Sequence, residues 1–587
     1  MKRVLFAFIF CVSGFGAAFA QTPTASPTPA AATPAVDDKQ NVAPDKLQGV
    51  PAIAPNYSSD DRTLPDLGRV GVDMTDQHSL TLNDAITLAL ENNKDIEVTR
   101  KNVKIAEFDL LAARGVYEPR FRGQSYYEKT TVPNISFFTP DSDSVTSSGF
   151  VGNVGWVGYV PRFGTTVEAT LDNQRVGTDN LVTIISPQYN SNFRFTVTQP
   201  LLRGRGFDQN RRVIEIAKRN LSLTDVQFRQ RSIEIIAAVQ RAYWDLTYAL
   251  RNLQVQRDGV KDAKDQLAHN RRLVEEGQLA PIDIVAAETQ VANFEQSVYE
   301  GLNTVTVAEN SLKNLIAPSR TDALWSESVT PVDSVDLDAP TTSLSEALDA
   351  ALLNRPELEI NQAQKDINAI DQRYFKEAKK PQIDLIASYT SSGVGGTLNP
   401  NFTNPLLRNC IADPTLPECI AAAQARDRLL QNVGGPASAF TDIITNKYPT
   451  YRVGVQFNLP MFGDKTSKAQ YGRSLVEGER LDVQRQQLEQ NIQVDVRNAL
   501  QTLRTAEARL RAAAISRENS VKQYESEQRK LDNGQSDIYR VLERQTALTT
   551  ARSNELKAQT ELNKAISDLQ RATGNSLKAN NVVSLLK

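Results

Sequence analysis

The sequence is poor in the residues that most chemistry needs. Its 587 residues include only two histidines, His78 and His269, and three cysteines, Cys11, Cys410 and Cys419. The histidines are far apart and neither has a cysteine near it, so no zinc site and no histidine-driven nucleophile relay is visible. Gly204-Arg205-Gly206 lacks the Gly-Lys-Ser/Thr that would complete a phosphate loop. Acidic pairs are numerous, but on long helices carboxylates are usually solvated or paired four residues apart. No catalysis, no cofactor and no metal is expected. Basic tracts are also missing, which disfavours a nucleic-acid partner. Beyond the first 20 residues no apolar run reaches the roughly 18 residues of a transmembrane helix. If this chain enters a membrane, it must do so as strands.

Residues 1–20 read as a signal peptide: Lys2-Arg3, an apolar run from Val4 to Phe10, then Ala18-Phe19-Ala20 before Gln21. Its removal takes two cations away, so the formal net charge of -3 becomes -5. Cys11 sits behind Phe8-Ile9-Phe10, which lacks the small residues of a lipoprotein cleavage box, and no lipid anchor is expected. Cys410 and Cys419 lie nine residues apart in an exported, proline-bearing loop. That context favours a local disulfide over a metal site or free thiols. Residues 21–78 form a Pro/Ala-rich leader, disordered or extended, because its large apolar residues are too few to build a core. Such a leader is a plain tether or an arm lying along a neighbour.

The rest of the chain is built twice. Leu344, Ala347, Asn354, Glu359 and Pro381 repeat Leu82, Ala85, Asn92, Glu97 and Pro119 at an offset of 262 residues. Farther on, Gly277-Gln278 and Thr289 match Gly534-Gln535 and Thr546 at an offset of 257. The implied domains are a first repeat at 79–318, a linker at 319–340, a second repeat at 341–577 and a tail at 578–587. Each repeat starts with an amphipathic helix, capped in the first by Asn83 or Asp84 and running from Leu82 to about Arg114. Alternation follows: Phe121, Gly123, Ser125 and Tyr127 against Arg122, Gln124 and Glu128. The same parity returns at Phe193 to Thr198, at Ile383 to Tyr389 and at Arg452 to Leu459. One face is apolar and the other polar in all four strands, as in a barrel with lipid outside and water inside, and a soluble sandwich gives the same alternation. A further hairpin, 150–159 with 165–171, either adds strands to the sheet or caps it, and has no counterpart in the second half, where residues 393–446 carry both cysteines and a short helix at 420–430.

Two tracts without proline, 207–276 and 464–533, then predict helices of about 100 Å each at 1.5 Å per residue. Ile236, Val239, Tyr243, Leu246, Leu250 and Leu253 keep coiled-coil spacing in the first, and Val496, Leu503 and Leu510 in the second. Each breaks at a Gly-Gln turn and returns as a helix, over 280–316 and 536–573. The tips of these hairpins lie far from the strands.

This order of signal peptide and doubled helix-strand-helix unit, with strand exits Gln199-Pro200-Leu201-Leu202 and Leu459-Pro460-Met461-Phe462, resembles the TolC-type outer-membrane efflux proteins, the outer membrane factors. The turns followed by Asp283-Ile284-Val285 and Val541-Leu542 are similar too, and the likeness covers about residues 80–577. It implies an α+β membrane protein: a homotrimer with a 12-stranded transmembrane β-barrel, four strands per subunit, continued by a long α-helical barrel in the periplasm. The implied role is the outer-membrane exit duct of a tripartite efflux or type I secretion system, serving a periplasmic adaptor (membrane fusion protein) and an inner-membrane pump. Four strands alone leave open edges that lipid does not tolerate, so strands in the membrane require several copies. The resemblance also implies that Gly277, Gln278, Gly534 and Gln535 form adaptor-docking turns. It places Arg540 and Glu543 at a pore constriction, with Asp537 one turn earlier and Asp283 as the first-half counterpart of Arg540. The family has acids where this chain has Arg540, so an Asp-Arg-Glu ladder is expected to replace repulsion by pairing. Without a Met, His or Cys relay, drug or peptide export fits better than metal export. The alternative reading, a structural periplasmic coiled-coil tether of the envelope, needs neither the strand parity nor the duplication.

Overall fold

Long stretches free of proline and rich in Ala, Gln, Glu, Arg and Leu favour continuous helix, and two such stretches give helices of 67 and 68 residues. The computed structural model describes residues 67–135, 143–402, 410, 413–459 and 464–582. The expected signal peptide, the leader up to residue 66, Pro460-Met461-Phe462 and residues 583–587 lie outside the described residues.

The first half runs β1 (Asp73–Leu80), α1 (Leu82–Asn92), α2 (Lys94–Arg114), β2 (Arg120–Pro133), β3 (Ser144–Val160), β4 (Thr165–Thr178), β5 (Ile185–Pro200), α3 (Gln209–Glu275) and α4 (Pro281–Ile316). The short strand β6 (Glu327–Pro331) pairs in parallel with β1. The second half runs α5 (Leu344–Asn354), α6 (Pro356–Ala378), β7 (Gln382–Leu398), α7 (Pro417–Val433), α8 (Ser438–Ile444), β8 (Tyr448–Asn458), α9 (Lys465–Asp532), α10 (Ile538–Ala572) and α11 (Ser576–Ala579). Both halves thus place a helix pair before their strands and a long helix with a returning partner after them.

Four expectations need correction. The leader does not extend to residue 78. Asp73–Leu80 is a strand, because its backbone is paired by β6 and Leu80 is buried against the helices. The first helix is two helices: Asn93 is extended (φ -60, ψ 129), ending α1 and capping α2 by accepting from the Asp95 N–H. The cap of α1 is Thr81, whose hydroxyl accepts from the Asp84 N–H, rather than Asn83 or Asp84. The second half breaks at the same place for another reason, since Arg355 precedes Pro356 and a residue before proline avoids the helical region.

The fourth correction concerns the sheet, which has six strands among the described residues rather than four. Its order is β2-β3-β4-β5-β7-β8, all neighbours antiparallel. The 150–171 hairpin therefore lies inside the sheet. Its strands pair on both sides over long registers; β4 alternates as its neighbours do, whereas β3 carries Val151, Val157 and Tyr159 on the face opposite Trp156 as well.

Two apolar clusters hold the helices. One gathers Ile236, Val239, Tyr243 and Leu246 of α3 with α1, α4 and β6, and the other joins Val496, Leu500 and Leu503 of α9 to α5 and α10. The heptad positions are therefore the core. Tyr243 is fully buried, and its hydroxyl donates to Asp333 Oδ2 at 2.5 Å, which also accepts the Leu82 N–H. Between the halves, Arg241 meets Asp568 and Lys564 meets Asp245, both at 2.8–2.9 Å.

Candidate pore wall and helical tips

The pairing of the six strands decides which side chains share a face. Register places Phe121, Trp156, Ala169, Phe195, Tyr389 and Tyr451 in one row across the sheet. The next row toward the helices reads Gly158, Val167, Val197, Ala387 and Val453. The opposite face carries Arg122, Gly155, Thr170, Arg194, Thr390 and Thr450 in one row. On that polar face Arg194, Thr196, Ser388, Thr390 and Arg452 line a concavity of about 330 Å³. The apolar face from Ile383 to Ser391 spans nine residues of β7, which at ~3.3 Å per residue and a tilt near 40° covers roughly 23 Å, close to the ~25 Å of a barrel's lipid-facing band. Every residue of β2 and of β8, the two outer strands, is exposed.

Beyond the other end of this face, α8 packs over the upper part of β7: the Ser391 hydroxyl donates to the Ile443 carbonyl at 3.1 Å. Cys410 and Cys419 are joined by a disulfide with their Cα atoms 5.6 Å apart, and Cys419 stands in the first turn of α7.

The helical tips are built alike. Gly277 and Gly534 take left-handed conformations (φ +75 and +71). At each, the glycine N–H bonds three residues back and the following glutamine N–H five back, to Val274 and Leu273 in one turn and to Leu531 and Lys530 in the other. This double closure satisfies carbonyls that the helix end leaves free. A Cβ on either glycine would meet open space, so the turns project outward. Gln278 and Gln535 are required there for their backbone N–H groups, a role that any residue but proline fills. Beneath the second tip, Glu527 accepts from the Ser536 hydroxyl at 2.5 Å, and that bond, followed by one from Lys530, holds its carboxyl below the usual range.

The expected constriction residues divide in two. Asp537 is the cap of α10: one oxygen accepts from the Arg540 N–H at 3.0 Å and the other faces Arg540 Nε at 3.3 Å. Asp283 is used on its own helix, where it accepts from the Ala280 N–H at 3.1 Å. Asp283 and Arg540 are both third in their helices, so the two tips perform the same capping with the acid moved by one turn. Glu543 stands one turn beyond Arg540, on a groove between α4 and α10.

Sequence reasoning missed that groove. Ile282, Val285, Tyr539 and Leu542 line it beside Glu543 and Thr546, and the first three are more than half exposed. Gln290 crosses it to donate to the Thr546 hydroxyl at 2.8 Å. The available signal was an apolar pair three apart in the first turns of each returning helix, Ile282 with Val285 and Tyr539 with Leu542.

A family model described as outer membrane efflux protein matches residues 153–317 and 347–575. No curated protein matches in sequence. Solved structures share the fold. CusC is 13% identical with a TM-score of 0.58, over 84% of this chain and 92% of that one. The CmeC outer membrane channel of Campylobacter jejuni is 14% identical with a TM-score of 0.57, over 84% and 86%. The MtrE outer membrane channel of Neisseria gonorrhoeae, solved in its open state, is 16% identical with a TM-score of 0.56, over 84% and 89%.

Proposed function

Because the chain belongs to the outer membrane efflux protein family, we propose that it is the exit duct of a tripartite efflux or type I secretion system. Three copies close one barrel in the outer membrane, and their helices continue it through the periplasm toward an adaptor and an inner-membrane pump. The observation that carries this reading is the apolar face shared by all six strands, on a sheet whose two edge strands are fully exposed. Lipid satisfies the face and neighbouring copies satisfy the edges. The long helices supply the rest, since 67 and 68 residues each extend about 100 Å.

At the far end, the Gly277 and Gly534 turns and the apolar groove between them receive the adaptor's helical hairpin. Asp537, Arg540 and Glu543 line the closed constriction as a ladder of alternating sign, and transport is passive, with the pump choosing among drugs or peptides. Extraction from membranes tests the reading. The protein is expected to require detergent and to scatter as a trimer. A monomer stable in plain buffer would overturn the duct and leave the periplasmic tether.

A further inference from the structure

We propose that the barrel of this protein has eighteen strands, six from each copy, and that the β3–β4 hairpin is an insert that widens its wall. The proposal rests on the trimeric duct reading and departs from the twelve strands that the family resemblance implies. Four observations support it, beginning with the second half, which contributes only β7 and β8 to the sheet, so the pair β2 and β5 is its equivalent and β3–β4 is the addition. The hairpin also enters and leaves at one point. The Asp179 N–H donates to the Thr146 carbonyl at 3.2 Å, and Asp179 accepts the Thr146 N–H at 2.8 Å.

Its register then makes it part of the wall. Trp156 and Ala169 continue the row between Phe121 and Phe195, so the apolar face crosses the insert without a step. Finally, its turn is tied to the base of the helices and cannot swing into the lumen as a plug. Arg211 of α3 donates to the Arg162 carbonyl at 3.5 Å while holding Asp208, and Gln199 donates to the Phe163 carbonyl at 3.2 Å.

Closure permits such an insert only in pairs of strands. Five antiparallel steps separate β2 from β8, so the two edges run in opposite directions, and β8 of one copy can join β2 of the next in the ladder of an ordinary antiparallel pair. A single added strand would make that junction parallel. With strands ~4.8 Å apart and tilted near 40°, eighteen close at about 36 Å between backbones, against about 24 Å for twelve. A lumen that wide leaves the narrow point to the helical end.

Electron cryomicroscopy of the full-length trimer in lipid nanodiscs tests this. Eighteen strands in the wall are expected. A trimer with twelve, and the β3–β4 hairpin outside the wall, overturns the insert and leaves the duct intact, whereas particles without any barrel overturn the duct itself. Deleting residues 144–178 brings β2 beside β5 with Phe121 and Phe195 still on one row. The deleted protein is expected to form a trimer whose barrel is narrower by about a third. An unchanged diameter would overturn the proposal, and should the deletion fail to assemble, the strand count of the intact protein decides.

Discussion

A buried carboxylate is stable only when its lone pairs are occupied, and Glu309 on α4 meets that condition. One oxygen accepts from Arg69 at 2.7 Å; the other accepts the Val329 N–H at 2.9 Å and lies 3.4 Å from Lys313 Nζ. Lys313 in turn donates to the carbonyls of Trp325 and Glu327. All three charged side chains are almost fully buried. Glu309→Ala leaves two buried cations without their shared partner and is expected to cost about 3–5 kcal/mol, read as a loss of thermal stability in detergent. Burial pushes Lys313 below its ordinary 10.5. Between that lowered value and 10.5 the unfolded chain keeps a proton that the folded one has released, so the stability contributed by Lys313 rises as pH rises through the window. Relative to Lys313→Met, the wild type is expected to gain stability over that range; a constant difference in melting temperature would count against it. None of this was legible in the sequence, where Arg69 falls inside the leader and Glu309 and Lys313 look like one more solvated pair on a helix. At the tip, Arg540→Ala is expected to make the closed pore more cation-selective and Glu543→Ala less so. Reversal potentials in a salt gradient that neither substitution moves would place both outside the constriction.

At the scale of elements, the helices stop where backbone geometry demands it. Gly277 and Gly534 hold left-handed conformations that cost a residue with a Cβ about 1–2 kcal/mol. That is small beside the packing of α3 on α4 and of α9 on α10. Leucine at either position is therefore expected to leave trimer yield unchanged while lowering efflux and adaptor crosslinking. Asparagine, which tolerates this conformation better, should retain more of both. Loss of the trimer with leucine would mean that the glycines serve folding alone. The cap of α10 is testable separately, since Asp537→Ala removes the acceptor of the Arg540 N–H and should cost about 1 kcal/mol.

For the whole molecule, the decisive property is which face of the sheet meets lipid. Phe195 and Thr196 are neighbours in β5 and point to opposite faces. An arginine at 195 lies within the apolar band and is expected to cost about 2–4 kcal/mol, whereas Thr196→Arg joins Arg194 and Arg452 on the polar side and should be tolerated. The yield of assembled trimer in outer membranes reads the difference. Equal yields would argue that the apolar face packs on protein rather than lipid.

Period and length are local properties, and the sequence by itself determined what depends on them. Proline-free tracts set two long helices, the heptads of α3 and α9 marked their buried faces, and the alternation in β2, β5, β7 and β8 assigned one apolar face to each strand. The close spacing of Cys410 and Cys419 belonged to the same class, because nine residues bring both ends within reach. Tertiary structure alone decided which strands are neighbours. The parity of β3 and β4 is the same whether the hairpin caps the sheet or enters it, and only its pairing with β2 and β5 made it wall. Tertiary structure also decided that Arg69 is buried and that Ile282 and Tyr539 are exposed. Burial depends on what chains distant in sequence place over a residue, and no local pattern encodes that.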